Sequence, residues 1–171
     1  GLFKGTSNGF ELERVPNRVE GSVMLIRLLG KENEVKNNYY KHPFTDVPEW
    51  ADRYVGYMYK NGLTKGIGNN HFGSEQPLDA KAYTSFVLRA LGYDDKIGDF
   101  TYDRSLEMAK KINLISEQEK ELLQSCNFKR DEMVGLSYFA LKSNMKDSSV
   151  KLINKLIDDG VVNEEVVNDS I

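Results

Sequence analysis

The stretch that decides the fold runs from Pro16 to Gly30, reads PNRVEGSVMLIRLLG, and returns twice later in the chain. The three copies are RVEGSVMLIRLLG from Arg18, AKAYTSFVLRALG from Ala80 and RDEMVGLSYFAL from Arg130. Each copy begins with polar residues and then becomes apolar on most of its helical faces, a pattern typical of a buried helix. We therefore predict three buried helices that pack on one another at the centre of one domain.

The first of these helices begins with a capping signal. Asn17 is a good N-cap residue and Glu20 follows three residues later, so each side chain can accept from a free backbone N–H. Arg18 is unusual here, because the helix dipole is already positive in the first turn and an acid would be preferred. The third copy repeats the arrangement as KRDE over Lys129–Glu132. A cation beside free N–H groups indicates a carboxylate or phosphate site, while the alternative, a solvated arginine offset by the nearby glutamate, stays open.

Composition and charge narrow the classes of function. The 171 residues can bury a core, and a formal net charge of −3 without a long basic run argues against nucleic acid as a partner. No stretch approaches the roughly 20 apolar residues of a membrane span. No export signal is visible, but the sequence opens in mid-pattern at Gly1, so this decides nothing about export. Cys126 is the single cysteine, and no internal disulfide is expected.

Two glycine-containing loops also correspond to each other. Gly1–Val15 and Gly62–Pro77 carry Gly-Leu, Lys, Gly and Phe in the same order, and Lys4 and Lys65 share a position. Such glycines allow tight turns or close backbone approach. The polar stretch Lys31–Lys41 is interpreted as a connector.

The segment Glu49–Asn61 predicts a helix with a broad aromatic face. Asp46 is a plausible cap for it, and Pro48 lies where a first turn tolerates proline. We expect most of the aromatic stripe in the core, with Trp50 at the helix start reaching the surface.

The remaining sequence predicts further helices. They cover Phe100–Leu114, Ser116–Leu123 and Asn127–Lys142, and an amphipathic helix after Asp147 is closed by Gly160. No segment has a convincing strand pattern. The predicted fold class is therefore all-α.

Taken together, these residues resemble the S-layer homology repeat. The matching motif is Phe44-x-Asp-Val, Trp50-Ala51, Gly62-Leu63, Gly66 and Phe72, followed by a buried helix that ends Arg89-Ala90-Leu91-Gly92. The stretches Asn17–Glu20 and Lys129–Glu132 match the Thr-Arg-Ala-Glu signature of that family. The resemblance implies the latter half of one repeat with a connector (1–41), one whole repeat (42–99) and one divergent repeat (100–146), followed by a C-terminal helix and tail (147–171). It also implies a pseudo-threefold spindle around a central three-helix bundle.

The function that the resemblance implies is a non-catalytic, extracellular module of a Gram-positive-type bacterium. Family members hold surface proteins on the cell wall or S-layer by binding secondary cell wall polymers, anionic glycans that often carry pyruvate ketals, in grooves between repeats. Carried over to this sequence, the resemblance implies glycan binding by Arg18 with Glu20 and by Arg130 with Glu132. Weaker candidates are Trp50 as a stacking surface, Lys4 and Lys65.

The second and third repeats depart from the family pattern. The second signature reads Asp79-Ala80-Lys81-Ala82, so both Arg and Glu are missing, and the charge of Asp79 is expected to repel an anion. The third repeat keeps the signature and lacks the Trp and the glycine loop. At most two grooves are therefore expected to bind. The alternative function is a structural or assembly scaffold that has lost glycan binding and contacts other surface-layer proteins.

An enzyme is the least favoured class. There is no Ser/His/Asp signature and no phosphate-binding glycine loop. The acids at Asp46, Glu49 and Asp52 are explained as caps and a solvated face rather than as a glycosidase pair. His42 and His71 lack metal-ligand spacing. We therefore expect no catalytic residue, metal or cofactor.

Overall fold

The computed structural model describes residues 9–163, a range that excludes Lys4 and the last part of the predicted tail. Within this range the chain is built from helices and loops, with isolated β-bridges in place of strands. The helices are α1 (Arg18–Leu28), α2 (Glu32–Asn37), α3 (Asp52–Lys60), α4 (Ala80–Ala90), α5 (Ser105–Lys111), α6 (Glu117–Ser125), α7 (Arg130–Lys142) and α8 (Leu152–Asp158). The all-α prediction is confirmed. None of the helices in this part of the chain has the length and apolar character needed to cross a membrane.

The three copies of the repeated stretch form α1, α4 and α7, and each of these helices contacts the other two. Leu25 and Ile26 of α1 and Tyr83 and Phe86 of α4 are fully buried. The Tyr83 hydroxyl lies 2.7 Å from Oγ of Ser137 on α7, so this buried polar group has a partner. The prediction of three buried helices that pack on one another is confirmed.

The starts of the three central helices are capped as their sequences predict. Asn17 Oδ1 accepts from the backbone N–H of Glu20 at 2.9 Å, and Glu20 Oε2 accepts from the backbone N–H of Asn17 at 2.8 Å. Asp79 Oδ1 accepts at 2.7 Å from an N–H in the first turn of α4. At α7, the Glu132 carboxylate accepts from the backbone N–H of Lys129 at 2.7 Å. These caps fix where each helix begins.

Part of the stretch interpreted as a connector is helical. α2 lies inside Lys31–Lys41, and its Val35 is fully buried. Arg27 at the end of α1 donates to the Glu32 carboxylate at 3.2 Å, and α2 packs on α3. Tertiary contacts therefore stabilise a helix too short and polar to be recognised from its own sequence.

The prediction that Asp46 caps the following helix is wrong. Its carboxylate accepts from the backbone N–H groups of Phe72 and Gly73 at 2.7 Å and of Ser74 at 3.2 Å. Burial opposes ionisation, but these backbone hydrogen bonds outweigh it and lower the pKa of Asp46. Asp46 thus ties the approach to α3 to the end of the glycine loop. The helix itself is preceded by a 3₁₀ turn at Glu49–Ala51.

The aromatic stripe of α3 divides between core and surface. Tyr57 and Met58 are buried, while Trp50 in the preceding turn is 60% exposed. The expectation that Trp50 reaches the surface is confirmed.

The C-terminal helix is also confirmed. Leu152 and Leu156 of α8 are buried, and α8 packs on α7. Gly160 follows the helix with a φ of 72°, the left-handed conformation that suits glycine at a helix end.

Candidate anion-binding groove

The N-terminus of α1 is covered by the glycine loop. The backbone N–H of Arg18 donates to the Gln76 carbonyl at 3.0 Å, and that of Val19 donates to the Ser74 carbonyl at 3.4 Å. The sequence interpretation took these N–H groups as free to bind a ligand anion. That part of the interpretation is wrong, because a distant loop supplies carbonyl partners. An anion at this place must be bound by side chains.

The N-terminus of α7 is covered in the same manner by an earlier loop. The backbone N–H of Arg130 donates to the Arg14 carbonyl at 2.9 Å, and that of Asp131 donates to the Leu12 carbonyl at 3.1 Å. The two acceptors are again two residues apart. Both signature arginines therefore lie at interfaces between a helix start and a loop from elsewhere in the chain.

A groove of about 460 Å³ opens beside the start of α1. We name it the Arg18 groove. Its charged side chains are Arg18, Lys65, Asp79, Arg89 and Asp95, and its other polar side chains include Tyr102. It lies between the first residue of α1, the glycine loop and α4. Two of the residues singled out from the sequence, Arg18 and Lys65, are brought together here.

Arg18 enters the groove between two aromatic rings. Its guanidinium carbon lies 5.1 Å from the ring centre of Phe72 and 4.9 Å from that of Phe86. The guanidinium makes no hydrogen bond and no ion pair with any residue in the described range 9–163, and its Nε is buried. Burial, and then repulsion from Arg89, lower the pKa of Arg18 to about 10. Asp79 and Asp46 partly offset these effects without forming an ion pair with Arg18. The group is thus charged at neutral pH, largely desolvated and without an ion-pair partner among the described residues, which favours binding of an anion.

The other two cations of the groove share one carboxylate. Arg89 donates to Asp95 through Nε at 3.1 Å and Nη2 at 2.8 Å, and Lys65 Nζ lies 2.7 Å from the same carboxylate. Burial opposes ionisation, but the hydrogen bonds from Arg89 and Lys65 outweigh it and lower the pKa of Asp95 to about 2. Lys65 therefore reaches the groove as a partly neutralised cation.

Asp79 is engaged on both oxygens. One oxygen caps α4, and the other accepts from the Tyr102 hydroxyl at 2.5 Å. Burial and this hydrogen bond raise the pKa of Tyr102. The described lining thus holds three cationic and two acidic side chains, so one positive charge is in excess. That balance suits a singly charged anion despite the presence of Asp79.

Glu20 and Arg130, both predicted as site residues, contact each other instead of entering the Arg18 groove. Glu20 Oε1 lies 3.2 Å from Arg130 Nη1, and its other oxygen accepts from Arg14 at 2.9 Å. Burial opposes ionisation of Glu20, but Arg14, the cap hydrogen bond and Arg130 outweigh it and lower the pKa of Glu20. Arg130 therefore has an internal carboxylate at its guanidinium.

Glu132 and Trp50 lie apart from the Arg18 groove. Glu132 lines a second groove of about 520 Å³, whose wall includes Leu122, Tyr138 and Phe139. This second groove is mainly apolar with an acidic rim. Trp50 is exposed and does not line the Arg18 groove.

His42 makes hydrogen bonds within the fold. His42 Nε2 lies 3.0 Å from Asp52, and its Nδ1 accepts from the backbone N–H of Phe44 at 3.1 Å. Across residues 9–163, no three His, Cys, Asp or Glu side chains come together in a group that could hold a metal ion.

Tyr102 and Asp95 were missed as groove residues at the sequence level. A signal for Tyr102 exists, since Phe100-Thr101-Tyr102 follows the order of Phe44-Thr45-Asp46. In this sequence match, Tyr102 corresponds to Asp46, the aspartate that binds the glycine loop. For Asp95 the signal is weaker, because a single acid in a polar turn is common.

Comparison with known protein families finds a match for one segment of the chain. Residues 43–79 match the model of the S-layer homology domain. The chain is also 32% identical over 110 residues to a protein called "Cell surface protein" from Thermoanaerobacter kivui. The alignment covers 62% of this chain and 14% of that protein, so the chain spans a small part of its relative. The matched segment includes Trp50 and Lys65, and the three tandem repeats remain a prediction.

Proposed function

We propose that the chain is a non-catalytic anchoring module that holds a surface protein at the bacterial cell wall. The S-layer homology match over residues 43–79 and the similarity to a cell surface protein support this location. The proposed ligand is a secondary cell wall polymer with anionic sugars. The observation that carries the proposal is the Arg18 guanidinium, which is charged, has no hydrogen-bond or ion-pair partner among the described residues and lines an open groove.

The lining of the groove supports a carboxylate-bearing glycan. Arg18 can bind a carboxylate through two parallel hydrogen bonds, and Lys65 lines the same groove as a second cation. Tyr102 and Ile67, which are 45% and 48% exposed, offer apolar surface for the face of a sugar ring. The one positive charge in excess in the Arg18 groove fits one ligand carboxylate, as a pyruvate ketal would present.

The other residues predicted to bind glycan have a minor role in the proposal. Arg130 with Glu132 stays a proposed second site, and its arginine is already paired with Glu20. Lys4, which lies outside the described residues, stays a weaker candidate. Trp50 stays a proposed stacking surface outside the Arg18 groove.

The test is co-sedimentation with purified sacculi before and after acid removal of the secondary polymer. Arg18→Met keeps an apolar stem between Phe72 and Phe86 and removes the charge, and Lys111→Met removes an exposed charge on α5 as the matched control. We expect binding to depend on the polymer and to weaken about tenfold or more in Arg18→Met, with Lys111→Met unchanged. Equal binding by sacculi with and without polymer would contradict the proposal. So would an Arg18→Met protein that folds and binds as tightly as the unmodified chain.

The alternative, an assembly scaffold, is supported by the apolar groove beside Glu132. Leu122 and Tyr138 on its wall are 56% and 43% exposed, which is unusual for large apolar side chains that share one groove. In this case another surface-layer protein would be the partner. A chain that does not bind intact sacculi and that binds a surface-layer protein through this groove would favour the scaffold.

A further inference from the structure

We propose that Ala82 determines which groove of this chain binds the anion, because it leaves Arg18 without the internal carboxylate that Arg130 has. The inference rests on the proposed function and adds a residue that sets its specificity. Ala82 is 6% exposed and lines the Arg18 groove. Its role is inferred from a comparison of the interfaces around Arg18 and Arg130.

The two interfaces share one hydrogen-bonding register. In each, the signature arginine donates its backbone N–H to a carbonyl three residues before the N-cap of another central helix. That acceptor is Gln76 before Asp79 for Arg18, and Arg14 before Asn17 for Arg130. The residue after each arginine then donates two positions further back, to Ser74 and Leu12. The backbone frames around Arg18 and Arg130 are therefore equivalent.

Within this shared frame, Glu20 and Ala82 occupy the same place. Glu20 lies three residues after the cap Asn17, and Ala82 lies three residues after the cap Asp79. From its place Glu20 reaches Arg130, with Oε1 3.2 Å from Nη1 and side-chain exposures of 25% and 7%. Ala82 ends at Cβ and carries no charge. Arg18 accordingly makes no ion pair in the described part of the chain, whereas Arg130 does.

The two interfaces differ in whether a carboxylate is paired with the arginine. A ligand carboxylate that approaches Arg130 must compete with Glu20, whose own negative charge also repels it. Arg18 has no carboxylate in ion-pair contact among the described residues, because both oxygens of the nearby Asp79 are held by the backbone N–H of Ala82 and by the Tyr102 hydroxyl. A ligand carboxylate at Arg18 therefore does not have to displace an internal one. The missing glutamate of the second signature, which the sequence interpretation took as a loss, thus opens the Arg18 groove.

The test introduces the missing carboxylate. Ala82→Glu is compared with Ala82→Gln, which has the same length and no charge, and each is titrated with soluble polymer released from sacculi by acid. We expect Ala82→Glu to weaken binding about tenfold or more and Ala82→Gln to stay within about threefold of the unmodified chain. If Ala82→Glu does not fold, Ala82→Asp and Ala82→Asn repeat the comparison with one methylene fewer. Unchanged binding with the carboxylate, or an equal loss with the amide, would overturn the inference.

A second measurement separates this inference from the proposed function. Urea unfolding of the unmodified chain, Ala82→Glu, Arg18→Met and the double variant forms a double-mutant cycle that needs no ligand. We expect Ala82→Glu to lower the free energy of unfolding less, or to raise it, when Arg18 is present than when Arg18 is replaced by Met. A cycle without coupling would overturn the role of Ala82 even if polymer binding is observed. Coupling without any polymer binding would leave the Ala82–Arg18 relation intact and refute the proposed function.

Discussion

Replacement of Asp95 by Asn should lower stability and tighten anion binding at the same time. Asp95 is the shared carboxylate of Arg89 and Lys65, with a side-chain exposure of 9%. Its removal leaves two cations of the Arg18 groove without their negative partner. The fold loses an ion pair, and the groove gains a second positive charge in excess.

The size of the stability loss follows from the pKa. The pKa of Asp95 is lowered from 3.8 to about 2 in the folded chain. A difference of this size contributes about 2 kcal/mol to the free energy of unfolding at neutral pH. Because the folded pKa lies below the unfolded one, this contribution is complete above about pH 4 to 5 and is lost as the pH falls through about 2.

The assay is urea unfolding of the unmodified chain and Asp95→Asn at pH 7 and at pH 2. At pH 7 the variant should be less stable by about 2 kcal/mol, and at pH 2 the difference should shrink to well under 1 kcal/mol. Other carboxylates with lowered pKa values, such as Glu20 and Asp46, titrate in both proteins, so the difference between the two isolates Asp95. A stability difference that is absent at pH 7, or that is the same at both pH values, would refute this reasoning.

The binding result is independent of the stability result. Asp95→Asn should bind soluble polymer about threefold or more tightly at low ionic strength, and the gain should shrink in salt as screening increases. Weaker binding by the folded variant would mean that Asp95 positions Lys65 and Arg89 for the ligand rather than competing with it.

Two further predictions concern the fold. A Cβ on Gly56 would collide with the backbone carbonyl oxygen of Tyr40, whereas one on Gly135 has no atom within 4 Å. Gly56→Ala should therefore destabilise the chain by about 1–3 kcal/mol and Gly135→Ala should stabilise it by about 0.5–1 kcal/mol, as measured by urea unfolding; equal effects would contradict this. Asp46→Ala removes the acceptor of three backbone N–H groups and should cost about 2 kcal/mol or more, with faster hydrogen exchange at the amides of Phe72 and Gly73. Unchanged exchange at these amides would show that the loop holds its place without Asp46.

The sequence was sufficient wherever the determining information is local. The apolar faces of Arg18–Leu28, Ala80–Ala90 and Arg130–Lys142 predicted three buried helices, because a helix that is apolar nearly all round is stable only inside a core. The capping box of Asn17 and Glu20 could also be predicted, because both partners lie within one helical turn.

The sequence failed where a residue acts across a long separation. Asp46 is of a residue type that often caps helices and precedes a helix by a few residues. Its actual partners are backbone N–H groups 26 to 28 residues further along the chain. The helix α2 depends on a buried Val35 and on contact with α3, neither of which its polar sequence displays. The lining of the Arg18 groove by Asp95 and Tyr102 is likewise set by the packing of distant segments.

The two signature arginines show this division most clearly. By sequence alone, Arg18 and Arg130 each start a buried helix two residues before a glutamate, and this spacing does not separate them. In the tertiary structure, Arg18 lines a groove together with Ala82, and Arg130 pairs with Glu20. An arginine that has a carboxylate within about 4 Å of its guanidinium is already paired, and one without such a carboxylate can bind a ligand anion. For Arg130 this carboxylate comes from another helix. The sequence therefore determined the helices and the positions of the cations along the chain, and the packing between helices decided which of the two arginines is paired with a carboxylate.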